Sequence, residues 1–159
     1  YDVSPEALER GMGAISDRMR KGVEKGKFQQ SFADTTWKNL RAVHSLEELR
    51  DADLVIEAII ERFEAKEELF RKLDSLCRRE SILATNTSSI SITKIAATTA
   101  RPDKVIGIHF MNPVPVMKLI EVIRGLQTSE ETYQTILSLI SALQKTPVTA
   151  RFDYPGFVV

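Results

Sequence analysis

Two residues of this sequence can move a proton together. His109 follows the short apolar run Ile106-Gly107-Ile108, and Glu121 lies twelve positions on, inside a second apolar run, Leu119-Ile120-Glu121-Val122. Asn112-Pro113 and Pro115 stand between the two runs and force a turn, so the runs can return side by side as neighbouring strands. A carboxylate beside an imidazole fixes its tautomer and stabilises its protonated form, which is how a general base is oriented. A lone histidine at a strand end is more often structural, and an isolated acid on an edge strand faces water. The apolar neighbours Ile120 and Val122 argue against a solvated face for Glu121.

The elements that must position this pair are legible in the spacing. Ser4-Pro5-Glu6 is a helix start, with a capping hydroxyl, a proline at the first helical position and an acid in the first turn. Leu8, Met12, Ile15, Met19 and Val23 follow on one helical face, and Gly26 ends it. Lys27 to Lys38 is polar and aperiodic and predicts a loop with at most a helical turn. Leu40 to Val43 predicts a short strand, and Ser45 to Leu49 a capped helical turn.

Leu54 to Ile60 is a nearly continuous apolar run, as in strands buried on both faces, with Glu61 at its end. Phe63 to Arg79 predicts a helix carrying Lys66, Leu69, Phe70, Leu73, Leu76 and Cys77 along one side. Strands are predicted at Ser81–Thr85, Lys104–Phe110, Leu119–Arg124 and Pro147–Ala150, with a short helix from Ser91 to Ala97. Thr128-Ser129-Glu130-Glu131 reads as a capping box opening a helix through Leu143. Strands alternating with helices predict an α/β domain with a mostly parallel sheet. Ligands of such sheets bind at the carboxyl ends of strands. Glu61, the loop Asn86-Thr87-Ser88-Ser89, and His109 with Asn112 all fall there.

Composition limits the alternatives. The chain has 159 residues, 43% hydrophobic and 28% charged, with 22 basic and 22 acidic residues, so its formal charge is zero. That balance argues against nucleic acid or a membrane surface as partner. The single cysteine, Cys77, excludes an intrachain disulfide and makes a reducing compartment the default. No apolar run approaches the roughly 18 residues of a membrane span. Two histidines and one cysteine give no metal-ligand spacing, so no metal is expected. Gly11-Met12-Gly13 imitates a phosphate loop but lies inside a predicted helix with no strand before it. Lys21, Lys25 and Lys27 either meet phosphates or simply complement a helix end.

The stretch His109-Phe110-Met111-Asn112-Pro113-Val114-Pro115-Val116-Met117-Lys118-Leu119-Ile120-Glu121-Val122 closely resembles the signature of L-3-hydroxyacyl-CoA dehydrogenases, including bacterial 3-hydroxybutyryl-CoA dehydrogenases. Asp53-Leu54-Val55-Ile56-Glu57-Ala58, Asn86-Thr87-Ser88-Ser89 and Asp153-Tyr154-Pro155-Gly156-Phe157 agree in type and spacing. The resemblance covers nearly the whole chain. It implies a Rossmann-type sheet with flanking helices and NAD-dependent oxidation of an L-3-hydroxyacyl-CoA to the 3-ketoacyl-CoA. By it, His109 is the base, Glu121 orients it, Ser88 bonds the reacting oxygen and Asn112 positions substrate. Glu61 and Lys66 lie near the nicotinamide end of the NAD site, Asn86 and Ser88 belong to the same site, and Asp2 binds the adenosine ribose.

The resemblance also implies parts that this sequence does not contain. These are a first strand with its glycine-rich turn and a C-terminal helical domain that supplies dimer contacts. Residues 1–159 are therefore expected to be a partial NAD-binding domain, with little turnover alone and a homodimer in the full protein. The expected compartment is the cytoplasm, or the mitochondrial matrix in a eukaryote. Two other readings compete: a non-catalytic, crystallin-like or dinucleotide-binding relative, and a dehydrogenase for another hydroxy acid. His109, Glu121, Ser88 and Asn112 kept together argue against the first.

Overall fold

The computed structural model describes residues 1–157. It divides into two compact units, Tyr1–Glu48 and a sheet body beginning at Leu49. The first unit is helical. Helix α1, Pro5–Glu24, opens on Ser4, whose hydroxyl accepts from the Ala7 amide at 3.2 Å. It ends through Gly26, whose φ of 63° lets the Lys27 amide turn back to the Gly22 carbonyl at 2.9 Å. Gly11 and Gly13 lie inside α1.

Two expectations fail in this unit. The polar stretch predicted as a loop forms helix α2, Gln30–Asn39. Its apolar face is short but real: Ala33 is buried, and the Phe28 and Phe32 rings lie 5.3 Å apart. Phe28, just before the helix, packs on Phe32 of its first turn, and Gln30 donates to Asp34 four residues on at 2.7 Å, contacts that sustain the helix where overall hydrophobicity is too low to announce it. Leu40 to Val43 is not a strand. Leu40 has extended backbone (φ −97°, ψ 126°), but the segment joins no ladder. A strand exists only by pairing its amides and carbonyls with a neighbour.

The sheet body holds strands β1 (Leu54–Glu57), β2 (Ile82–Thr85), β3 (Val105–Phe110), β4 (Leu119–Arg124) and β5 (Thr146–Ala150), side by side in that order. All neighbours are parallel except β3 and β4, which are antiparallel. The expected mostly parallel, Rossmann-type sheet is the observed one. Helices α3 (Phe63–Leu76), α4 (Ile92–Ala96) and α5 (Glu130–Ala142) connect and cover the strands.

Alternation along the strands creates two faces. On one, Ile82, Ala84, Ile106, Ile108, Ile120 and Val122 meet Ile136 and Ile140 of α5. Each fully buried isoleucine contributes roughly 1.5–3 kcal/mol of transfer free energy. On the other, Gly107 lets α4 approach closely: a Cβ there would come within 2.9 Å of the Ile92 side chain and 3.0 Å of Ile123.

Several boundaries also shift. Helix α3 ends at Leu76 rather than Arg79, where Cys77 turns to extended backbone (φ −75°, ψ 155°). Strand β1 stops at Glu57 rather than Ile60, because the buried Glu57 carboxylate accepts the Ile59 amide at 2.6 Å and turns the chain, leaving Ile59 and Ile60 exposed. The cap of α5 is Ser129, not Thr128, since Thr128 donates its hydroxyl to the Val105 carbonyl. Among the described residues no helix is long and apolar enough to cross a membrane.

Candidate active site

The antiparallel register of β3 and β4 sets His109 directly opposite Glu121. Directly opposed side chains leave the same face of a sheet about 4.5–5.5 Å apart at Cβ. The result is a 2.7 Å bond between His109 Nδ1 and Glu121 Oε2. The Glu121 side chain is 1% exposed and that of His109 20%. A carboxylate is an acceptor, so the Nδ1 proton faces it, and in the neutral ring Nε2 carries the lone pair. The Phe157 ring stands edge-on to the imidazole, with centroids 6.4 Å apart. Its segment is tied down by Asp153, which accepts from the Ser91 hydroxyl at 2.5 Å and the Thr93 amide at 2.7 Å. Burial pushes the Asp153 carboxyl up, but these bonds outweigh it and hold its pKa below the usual range.

A second cluster lies where β1 and β2 end. Lys66, reaching from α3, donates to Glu57 at 2.6 Å and lies 3.4 Å from Glu61. Thr85 donates its hydroxyl to the other Glu57 oxygen at 2.7 Å. Glu61 Oε1 accepts from the Thr87 hydroxyl, from the Ser88 amide at 2.8 Å and from the Ser88 hydroxyl at 3.2 Å. Burial alone would raise the Glu61 carboxyl. The Thr87, Ser88 and Lys66 partners outweigh it and lower the pKa to about 2. Glu61 is thus an anion at neutral pH.

Each expected site residue can now be located. His109 and Glu121 meet, as do Glu61, Lys66 and Ser88. Lys66 is buried beneath Glu61 rather than facing solvent. Asn86 joins three strands: its amide donates to the Glu57 carbonyl, and its Oδ1 accepts the Phe110 amide at 2.9 Å. Asn112 is exposed on the loop after β3. Asp2 lies in the first unit, where its Oδ1 accepts the Ser4 amide at 2.9 Å.

Sequence reasoning named the Asn86–Ser89 loop but not the buried Glu57 beneath it, nor the contact that Lys145 makes with the loop after β3. An acid inside the apolar run Leu54–Ile60 was the available signal for Glu57. Lys145 gave none, although its ammonium bonds the Val114 and Met117 carbonyls at 2.7 and 2.6 Å.

Residues 1–153 match the family described as 3-hydroxyacyl-CoA dehydrogenase, NAD binding domain. A probable 3-hydroxybutyryl-CoA dehydrogenase of Bacillus subtilis is 50% identical over 158 residues, 99% of this chain and 55% of the relative. The 3-hydroxybutyryl-CoA dehydrogenase of Clostridioides difficile is 44% identical over 153 residues, 96% of this chain and 54% of its own. A crystal structure of 3-hydroxybutyryl-CoA dehydrogenase from Escherichia coli K12 superposes with a TM-score of 0.96 at 44% identity, over 99% of this chain and 33% of that one. The chain spans about half the length of the Bacillus and Clostridioides relatives. Sequence and fold agree over nearly the whole chain, which belongs to the NAD-binding-domain family of the 3-hydroxyacyl-CoA dehydrogenases.

Proposed function

We propose that the full protein oxidises an L-3-hydroxyacyl-CoA, 3-hydroxybutyryl-CoA among them, to the 3-ketoacyl-CoA. The observation that carries this reading is the 2.7 Å bond between His109 Nδ1 and Glu121. With Nδ1 held by the carboxylate, Nε2 takes the proton of the 3-hydroxyl, and Glu121 stabilises the imidazolium that results. Ser88 hydrogen-bonds the reacting oxygen, and Asn112 orients the acyl chain.

The donor set fits NAD. A charged, partly exposed Glu61 beside the Ser88 hydroxyl at the carboxyl ends of parallel strands can accept from ribose hydroxyls or a carboxamide. Glu61 and Ser88 would line the cofactor directly, Asn86 and Lys66 would hold that rim from beneath, and Asp2 would take the adenosine ribose. NAD, when bound, supplies the hydride acceptor.

The family match and the Bacillus and Clostridioides relatives, each about twice the length of this chain, support the further proposal that residues 1–159 are part of the NAD-binding domain of a longer protein; a helical partner domain and a homodimer are what the resemblance adds to that proposal. The chain alone would then give little NADH. The lone Cys77, buried and free, supports a reducing compartment such as cytoplasm or mitochondrial matrix. The test is the full-length protein with NAD and 3-hydroxybutyryl-CoA, followed by NADH absorbance, beside His109→Gln and Glu121→Gln. Wild-type turnover in both variants would remove the proton-transfer role.

A further inference from the structure

The loop between β3 and β4 carries Asn112 and runs to Lys118, and every one of its residues from Asn112 to Lys118 is exposed. It therefore has no buried side chain to hold its shape. Two of its residues, Pro113 and Pro115, have no amide to donate. Within the loop, only the Val116 and Met117 amides turn inward, both to the Pro113 carbonyl, at 2.9 and 3.0 Å. A segment so built depends on bonds from outside it.

Those bonds come from one place. Lys145 Nζ donates to the Val114 carbonyl at 2.7 Å and to the Met117 carbonyl at 2.6 Å, and the next residue, Thr146, donates its amide to the Lys118 carbonyl at 2.8 Å. The base of Lys145 is itself rigid. Helix α5 closes with Gln144 in the left-handed region (φ 55°), so that the Lys145 amide returns to the Ile140 carbonyl at 3.1 Å. One residue later β5 begins its ladder with β4. The ammonium is thus aimed from the junction of a helix end and a strand start, and its bonds to the loop are charge-assisted.

We propose that Lys145 is a positioning residue for the acyl-CoA substrate: it fixes the Asn112–Lys118 loop, and through it Asn112, relative to His109. This rests on the dehydrogenase reading above. It assigns Lys145 no contact with substrate or cofactor.

The test uses the full-length protein and the variants Lys145→Met, which keeps length and loses the donors, and Lys145→Arg, which keeps charge and donors. The expected result for Lys145→Met is a KM for 3-hydroxybutyryl-CoA raised about tenfold, as for loss of charge-assisted hydrogen bonds. The KM for NAD and the thermal midpoint should stay near wild type, and Lys145→Arg should recover most of the affinity. Amide hydrogen exchange at Val116 and Met117 should speed up in Lys145→Met. An unchanged acyl-CoA KM, or a rise in both KM values together with a fall in thermal midpoint, overturns the proposal. If the wild-type protein shows no turnover, the dehydrogenase reading fails separately. Exchange at Val116 and Met117 then decides the clamp alone, and unchanged exchange overturns it.

Discussion

Glu121 reaches His109 across an antiparallel strand pair and is 1% exposed, whereas Glu61 stands on a turn after β1 with its side chain 38% exposed. The Glu121 carboxylate is placed by sheet register, so its direction follows from two strands that the core already fixes. The Glu61 carboxylate is placed by a loop that wraps it, with donors from Thr87, Ser88 and Ser89 converging on one oxygen. The first arrangement fixes the direction of an imidazole. The second holds an anion at a rim and orders the loop that carries Ser88. Beneath Glu61, Lys66 and Glu57 form a buried ion pair that ties the loop to α3 and β1.

Breaking the register-held centre has the largest expected effect. Glu121→Gln in the full-length protein should lower kcat by about 10²- to 10⁴-fold, the span of a general-base contribution, with KM values nearly constant. A kcat within a factor of two of wild type would show that the 2.7 Å bond does not serve catalysis.

Next comes the support of the loop-held centre. Lys66→Met leaves the Glu57 carboxylate buried without its counter-charge and should cost about 3–5 kcal/mol in urea unfolding. Adding Glu57→Gln to Lys66→Met should recover part of that loss. If the double variant is no more stable than Lys66→Met, the pair is not what holds β1 to α3.

Removing one donor should do less. Thr87→Val, at a position fully buried, takes away the hydrogen bond to the Glu61 carboxylate, worth about 1.5–3 kcal/mol, together with the oxygen that accepts the Ile90 amide at 3.0 Å. A loss no larger than that of an exposed alanine substitution would mean that the Ser88 and Ser89 amides alone hold the turn.

The smallest effect is in pH dependence. Glu61 is held at about 2 against an ordinary 4.5, so between those values the unfolded chain binds more protons than the fold. Its stabilising contribution is therefore complete above about 4.5 and is lost as pH falls toward about 2. Glu61→Gln should flatten the urea midpoint measured from about pH 5 down to about pH 3. A slope equal to wild type would assign the acid limb to other carboxylates.

Much of the sheet body was legible because its strands are short apolar runs separated by clear caps and turns. Ser91 and Asn112-Pro113 marked boundaries that the structure keeps. Helix α2 was not legible, because the Phe28 ring packed on its first turn and the Gln30–Asp34 hydrogen bond stabilise it without a long hydrophobic face. The end of β1 was misplaced for the opposite reason: Ile59 and Ile60 look like strand, but the Glu57 carboxylate captures the Ile59 amide and ends the ladder. The role of Glu57 was hidden for a related reason. An acid within an apolar run tells of burial and names no partner, and Lys66 comes from a different element.

By itself the sequence determined the alternation of strands and helices, the family, and the two residues able to share a proton. Periodicity and local turn chemistry are short-range properties, and they are written in neighbouring residues. Only the tertiary structure decided the register that puts His109 opposite Glu121, the burial of Lys66 between two carboxylates, and the bond from Lys145 to the loop carrying Asn112. Those depend on atoms 12, 9 and 31 positions apart meeting within hydrogen-bond distance, which is a product of packing and carries no local signature.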